Sequence, residues 1–453
     1  MRLDDLADRD VAIWGYGREA RSVLAALRRR RPDQPLTLYC RPDEAPVVGA
    51  RGDRHLRVVA VAPDADALAA HAIVVKSPGI SKYRPEIQAA QARGTVFTSG
   101  TALWFGENPD ARVLAVTGTK GKSTTTALIA HLARSLGVRT ALAGNIGLPP
   151  LELDGQRADL WALELSSFQT DEAGPVELGV VVSLGEEHLD WHGTRERYWA
   201  DKLKLADVSR TLLVDAQTPR LVALTAAHPH RVTFGDPGGW HAEAGWLRRA
   251  DAKVFELAHL PLRGAHNVHN ACAALAALEL WGLDARRAAA ALVRFKPLPH
   301  RLTALGARAG IEWIDDSIST TPDAALAALR SLPGRQVVLI LGGHDRGLDW
   351  APFARAVHAA PPAGVVVQGA AGARIARTLR EAAATCGVLE TATLADAVAA
   401  ARRQVLPGGV ILLSPGAPSF DQFKNYVERG RAFARLAGFD GDAIGEITGL
   451  GIA

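Results

Sequence analysis

The chain has 453 residues, 48% hydrophobic and 22% charged, with a formal net charge of +4. That length exceeds one hydrophobic core and calls for two or three domains, while no apolar run reaches across a bilayer, so a cytoplasmic protein without a membrane partner is expected. The small positive excess, with no block of like charge beyond RRRRP at 28–32, speaks against nucleic acid, and three scattered cysteines, Cys40, Cys272 and Cys386, read as buried thiols rather than a disulfide framework or a zinc site.

Short apolar runs alternate with helical patterns from end to end, the signature of open parallel sheets with helical crossovers. The first sheet is expected over residues 1–106. It starts with VAIWGYGREARS, whose Gly15, Gly17 and Ala20 form a G-x-G-x-x-A turn after a strand, and continues through LTLYC and AIVVKSPG. A dinucleotide cofactor would want an acidic residue at the end of the second strand. Arg41 stands there instead, which suits a nucleotide phosphate and disfavours nicotinamide.

The second sheet is expected over 107–299. AVTGTKGKSTTT follows an apolar strand, Val113 to Val116, and opens an amphipathic helix. Gly118 and Gly121 let the backbone approach closely, so that successive N–H groups and the helix N-terminus cradle phosphates. Lys122 supplies a point charge and Ser123 a hydroxyl for magnesium, with Thr119, Lys120 and Thr124 completing the loop; Val116 stands where the first glycine of the usual pattern belongs. Glu164 closes the strand LWALE, and His188 and Asp190 follow the strand VVVSL. Carboxyl ends of strands face the ligand crevice of a doubly wound sheet, so these groups favour a magnesium site. On local grounds Lys202 and Lys204 read as a solvated helix face.

The third sheet is expected over 300–453. WIDDSIST, LILGGHDRGLDW and LLSPGAPSFDQFKNYVERG place polar groups beyond apolar strands, where functional loops are common.

The order of motifs identifies a family. GTKGKST at 118–124, GNIG at 144–147, ELSSFQ at 164–169, EEHLDWHG at 186–193, HNVHNACAA at 266–274, LPHR at 298–301, DDS at 315–317 and SPGAPSFDQFKNY at 414–426 resemble the Mur ligases of peptidoglycan synthesis over essentially the whole chain. The resemblance implies three domains: a Rossmann-like N-terminal domain for a UDP-sugar, a central P-loop ATPase domain, and a Rossmann-like C-terminal domain for the incoming amino acid. It implies ATP and Mg2+ as cofactors and, as substrates, UDP-N-acetylmuramoyl-L-alanine and glutamate, joined through an acyl phosphate. A monomer is expected.

By the same resemblance, Lys122, Glu164, His188 and Lys202 are the catalytic set. Ser123, Glu164, His188 and Lys202 serve the metals, the last as a carbamate. Gly118 to Thr124, Asn267, Arg301 and Asp316 contact ATP, with Asn270 a weaker candidate. Arg18, Arg41, Ser77, Gly79, Asn145 and His188 line the UDP-sugar path, and Thr320, Arg346, Ser419 and Tyr426 face the amino acid.

The chain departs from the D-glutamate-adding pattern in that last pocket: Ile318 replaces a lysine, Arg346 stands where a lysine is expected, and Tyr426 replaces a phenylalanine. Inverting the α-centre of glutamate while its amine stays aimed at the acyl phosphate moves one or both carboxylates, and the cations that pair with them must move too. L-glutamate is therefore favoured over D-glutamate. A folylpolyglutamate synthase-like ligase is opposed by the complete N-terminal domain. A non-catalytic nucleotide-binding protein is opposed by the presence together of Lys122, Glu164 and Lys202.

Overall fold

Val11–Trp14, Val113–Thr117, Leu160–Glu164 and Val337–Gly342 are buried along their whole lengths in the computed structural model, which describes residues 1–383 and 385–453. Strands apolar on both faces need cover on both faces, and a parallel sheet with helical crossovers supplies it. Three such sheets form. The first is all parallel, in the order Leu56–Val59, Leu36–Tyr39, Val11–Trp14, Ile73–Lys76, Val96–Thr98. The second runs Arg231–Phe234, Ser209–Asp215, Val176–Val181, Val113–Thr117, Leu160–Glu164, Thr140–Gly144 and Gly451–Ile452. In the third, Thr303–Arg308 and Ile311–Asp315 form an antiparallel edge, followed by Val410–Leu413, Val337–Gly342, Gly364–Gln368 and Gly387–Glu390 in parallel.

Two features differ from the sequence expectation of three sheets. Trp240–Glu243, Trp246–Arg249 and Ala252–Glu256 form a separate antiparallel meander. Also, Gly451–Ile452 leaves the C-terminal segment and pairs antiparallel with Leu142 and Ala141 of the second sheet. Arg134 fastens it, donating to the Gly449 and Gly451 carbonyls at 2.7 and 2.8 Å. The chain divides into two compact units, one of residues 1–260, 268–295 and 449–453, the other of 261–267 and 296–448. Cys40, Cys272 and Cys386 are buried free thiols, as expected.

The helices that follow the ligand-facing strands carry their own start and stop signals. Arg18–Arg30 begins after Gly17, buries Ala20, Val23, Leu24 and Leu27, and ends on Arg28, Arg29 and Arg30, cations that complement the C-terminal dipole. Lys122–Ser135 begins at Gly121 and buries an unbroken run from Ser123 to Ala130. Its first turn is thus held by packing at the point where its N–H groups are open to a ligand.

In the second unit the strand Val337–Gly342 ends in a turn that only glycine fits. Gly342 has φ +103°, and a Cβ there would lie 2.0 Å from the Gln368 carbonyl oxygen. Replacing Gly342 with Ala is expected to cost about 3 kcal/mol or more, from left-handed strain plus overpacking against backbone. Chemical denaturation checks it; a midpoint unchanged from wild type would refute the close approach.

Candidate functional site

The phosphate loop takes the form expected of it. Gly121, the N-cap of Lys122–Ser135, sits at φ +85°, and a Cβ there would lie 2.4 Å from Asn270 Oδ1, so glycine is required for both conformation and space. Ser183 braces the loop, its Oγ accepting from Lys120 N and donating to Lys120 O, both at 2.9 Å. Thr119 Oγ1 accepts from Gly185 N and meets the Tyr198 hydroxyl, each at 2.8 Å. Lys122 Nζ donates to Thr119 O at 3.2 Å, and Lys120 pairs with Glu187. Burial works to raise the Glu187 carboxyl, but Lys120 and Lys122 prevail and bring it to about 2.

Glu164, at the end of the neighbouring strand, is 1% exposed. Its Oε1 accepts from Asn145 Nδ2 at 2.7 Å, while Oε2 is buried without a hydrogen-bond partner among the described residues. An unpaired buried carboxylate oxygen is costly unless something absent from the protein meets it. Lys202 is 1% exposed, contrary to the solvated face its local sequence suggests. Its Nζ donates to Gly118 O at 3.0 Å and lies 5.0 Å from the Tyr198 ring centroid. Burial, then the charge on Lys122, drives the Lys202 ammonium well below its ordinary pKa. His188 caps a short helix in left-handed backbone, φ 54°. Burial pushes its imidazole down to about 4 against the opposing pull of Glu187, which leaves it neutral at neutral pH.

Among the described residues, no three or more of His, Cys, Asp and Glu gather into a closed metal site. The donor set is sparse: one hard carboxylate oxygen with no hydrogen-bond partner among the described residues, the hard Ser123 hydroxyl and a softer, neutral imidazole. That fits a magnesium ion completed by phosphate oxygens and water rather than a protein cage.

At the glycine turn of the first sheet, a cavity of ≈ 600 Å³ is lined by Gly15, Gly17, Arg18, Arg41, Ser77 and Gly79 among others. The structure therefore brings four of the predicted UDP-sugar residues, Arg18, Arg41, Ser77 and Gly79, to one cavity. Ser77 Oγ is buried with no partner among the described residues, and Arg18 Nη1 donates to Gly147 O at 3.1 Å. Arg41 is exposed and pairs with Asp43 and Glu44 at 3.2 Å each.

In the second unit, Asp316 is buried. Its Oδ1 accepts from Leu302 N at 3.2 Å and its Oδ2 from Ser414 Oγ at 2.7 Å. Burial, with the nearby Asp315 charge, raises it to about 7 against the pull of these bonds and of Arg301. Asn267 Nδ2 donates to Arg263 O at 2.7 Å. The candidate amino-acid residues differ in setting: Ser419 is buried, Thr320 half-buried and Arg346 exposed. Tyr426 starts the helix Tyr426–Ala437 with its ring edge to His300.

Several residues to which sequence reasoning gave no site role join these groups. Gln169 Oε1 accepts from Ser166 Oγ at 2.8 Å, and its Nε2 donates to Glu19 at 3.0 Å. His192 and Asp201 pair at 2.7 Å, and Tyr83 reaches Asp201 from 118 residues away. Local spacing carries no signal for such pairs. The hint in the sequence is membership of quoted motifs: Gln169 closes ELSSFQ, His192 lies in EEHLDWHG and Asp201 immediately precedes Lys202.

Parallel sheets, a glycine-rich loop opening onto a helix N-terminus, and a bare carboxylate oxygen on the adjacent strand define a phosphate-binding α/β protein of the P-loop type. Residues 116–278 match the Mur ligase middle domain, and residues 300–416 match the Mur ligase glutamate ligase domain. The chain is 48% identical, with full coverage of both sequences, to a UDP-N-acetylmuramoyl-L-alanine–L-glutamate ligase of Xanthomonas campestris pv. campestris (strain 8004). It is 40% identical, over 96% of this chain and 98% of the other, to the protein of the same name from Salinispora tropica. The chain belongs to the Mur ligase family. Its fold is similar to that of the UDP-N-acetylmuramate-alanine ligase of Thermotoga maritima (TM-score 0.60, 19% identity, 95% of this chain and 99% of that one). The MurF ligase of Thermotoga maritima in complex with ADP is also similar (TM-score 0.58, 15% identity, 98% and 96%).

Proposed function

We propose that the chain is an ATP-dependent ligase that joins L-glutamate to UDP-N-acetylmuramoyl-L-alanine in peptidoglycan precursor synthesis. The observation that carries this reading is the Glu164 oxygen at the strand end beside the phosphate loop, buried with no hydrogen-bond partner among the described residues. Full-length likeness to relatives named for this reaction supports it. Residues 1–106 take the UDP-sugar, 107–299 take ATP, and 300–453 take the amino acid.

Lys122 and the N–H groups from Gly118 to Thr124 hold the β- and γ-phosphates, and Asn267, Arg301 and Asp316 contact the rest of ATP. Arg18, Arg41, Ser77, Gly79 and Asn145 orient the nucleotide sugar, so that its terminal carboxylate meets the γ-phosphate near His188. The carboxylate oxygen bonds to the γ-phosphorus as the bond to ADP breaks. The glutamate amine then attacks the acyl carbon; a C–N bond forms, phosphate leaves and the amine loses a proton. A carboxylate is a poor electrophile, and phosphorylation gives it a good leaving group.

When bound, magnesium supplies positive charge that screens these anions from one another, and Ser123, Glu164 and His188 are the residues that would hold it. Lys202 joins them only as a carbamate, which turns its cation into an anion. Its depressed pKa favours the neutral amine, the form that reacts with carbon dioxide. Thr320, Arg346, Ser419 and Tyr426 receive glutamate, and the change from lysine to Ile318 and Arg346 sets the choice of isomer.

The test is magnesium-dependent phosphate release from ATP and UDP-N-acetylmuramoyl-L-alanine, with L-glutamate in one reaction and D-glutamate in another. Turnover with L-glutamate is expected, at least about 100-fold above D-glutamate, because a misplaced carboxylate leaves its partner cation unpaired. Release with D-glutamate alone would overturn the isomer, and release with neither would overturn the ligase.

A further inference from the structure

The segment 77–84, which carries Ser77 and Gly79, is bonded at several points to the segment that carries His188 and Lys202. Trp191 Nε1 donates to Pro78 O at 3.0 Å, and Ser81 Oγ donates to Trp191 O at 2.6 Å. The Tyr83 hydroxyl lies 2.7 and 2.9 Å from the two carboxylate oxygens of Asp201, and Lys82 Nζ lies 3.0 Å from Oδ1. From the other side His192 Nδ1 meets Asp201 Oδ2 at 2.7 Å, and His192 Nε2 lies 3.0 Å from Ser167 Oγ. Thr170 Oγ1 donates to the Asp201 carbonyl at 2.7 Å. One buried residue, Asp201, is thus the meeting point of the nucleotide-sugar loop through its carboxylate, the ELSSFQT turn through its carbonyl and through His192, and the helix Arg195–Val208 that carries Lys202.

Ser167, His192 and Asp201 are arranged in the order of a hydrolytic triad, but the chemistry does not follow. His192 is 0% and Ser167 4% exposed, so no carbonyl reaches the hydroxyl. Two further donors, the Tyr83 hydroxyl and the Lys82 ammonium, fix the Asp201 carboxylate from the loop side, an arrangement that serves placement. A stack of rings extends it to His188. Phe168 lies parallel to Trp191 and His192, with centroids 4.7 and 5.6 Å away, and presents its ring to His188 at 4.9 Å.

We propose that Asp201 and Tyr83 are positioning residues that couple occupation of the nucleotide-sugar loop at 77–79 to the placement of Lys202 and His188 for phosphoryl transfer. The proposal rests on the ligase reading above. A loop shifted by its ligand moves Pro78, Ser81 and Tyr83 together, and through Asp201 and Trp191 it reorients the residue adjoining Lys202 and the ring adjoining His188. ATP is then committed only when an acceptor is in place.

Tyr83→Phe removes one hydroxyl and keeps the ring, and Asp201→Asn keeps the shape of its side chain. Tyr83→Phe is expected to lower kcat about ten-fold while the KM for ATP stays within about two-fold, the loss of one hydrogen bond to a charged group. The double variant should be no slower than Asp201→Asn alone, because both changes cut one link. Amide exchange gives a readout apart from turnover. UDP-N-acetylmuramoyl-L-alanine without ATP should slow exchange in 77–84 and in 195–208 of the wild type, but only in 77–84 of Tyr83→Phe. Wild type that neither turns over nor protects 77–84 with this ligand overturns the ligase reading. Wild type that does both, with additive variants or an unchanged response of 195–208 in Tyr83→Phe, overturns the coupling.

Discussion

Lys122→Met is expected to lower magnesium-dependent phosphate release about 1,000-fold with little change in folding. The methionine keeps the length and apolar stem of lysine, so the first turn of Lys122–Ser135 stays packed. What disappears, on the proposed function, is the cation that would face the γ-phosphate as charge moves onto the leaving ADP. A second effect reinforces the first. The Lys122 charge helps Lys120 hold the Glu187 carboxyl near 2, and it adds to the larger effect of burial in keeping protons off Lys202 and His188, so its removal relieves part of the depression of both bases while burial still holds them down. Release measured at saturating substrates, with a melting curve on the same preparation, checks this. A variant within about ten-fold of wild type would mean that the loop binds phosphate by backbone alone.

Asp316→Asn is expected to stabilise the second unit at alkaline pH while weakening the reaction. In the folded state the Asp316 carboxyl titrates near 7, against an ordinary value of 3.8, because burial penalises its charge and Asp315 repels it. A carboxyl raised in this way contributes stability that is fully present below the unfolded pKa and is lost as pH rises through the folded one. The difference corresponds to about 4 kcal/mol at most, lost between about pH 4 and pH 8. Asparagine does not ionise. Its oxygen still accepts from Leu302 N, and its amide can donate to the Ser414 hydroxyl, which now accepts. The variant should therefore match wild type near pH 4 and unfold at higher denaturant near pH 8. Denaturant titrations of both proteins across this range test it, and a constant difference would show that Asp316 ionises freely. Lower ligase activity in the more stable variant would mark Asp316 as a site where charge is kept for function at the expense of stability.

The parallel sheets were legible because their physics is local. Val337–Gly342 and Val113–Thr117 are buried on both faces and so must read as unbroken apolar runs. The meander at 240–256 was not, since Trp246–Arg249 buries only Leu247 and carries two arginines, a pattern that a surface loop shares. Gly451–Ile452 is two residues long and is a strand only because Thr140–Gly144 offers an edge. The phosphate loop shows in the sequence because its parts are consecutive. Lys202 needed family likeness, because its burial depends on Gly118 and Tyr198 lying over it, neither of which marks Lys202 in the local pattern. The link from Tyr83 to Asp201 spans 118 residues and joins two different sheets of one compact unit, and no reading of spacing reaches it.

The strand at 451–452 and the segment 261–267 have a consequence for taking the molecule apart. The chain passes between its two compact units four times, at 260, 267, 295 and 448. A fragment beginning near 300 would lack one piece of its own unit and carry, in 449–453, a piece of the other. Exchanging that unit between relatives as a single cassette would leave the second sheet with an edge strand from a foreign sequence, to be matched at Ala141 and Leu142. A transplant of amino-acid specificity therefore has to keep residues 449–453 with the recipient's phosphate-binding sheet, or Thr140–Gly144 becomes an open edge for intermolecular pairing.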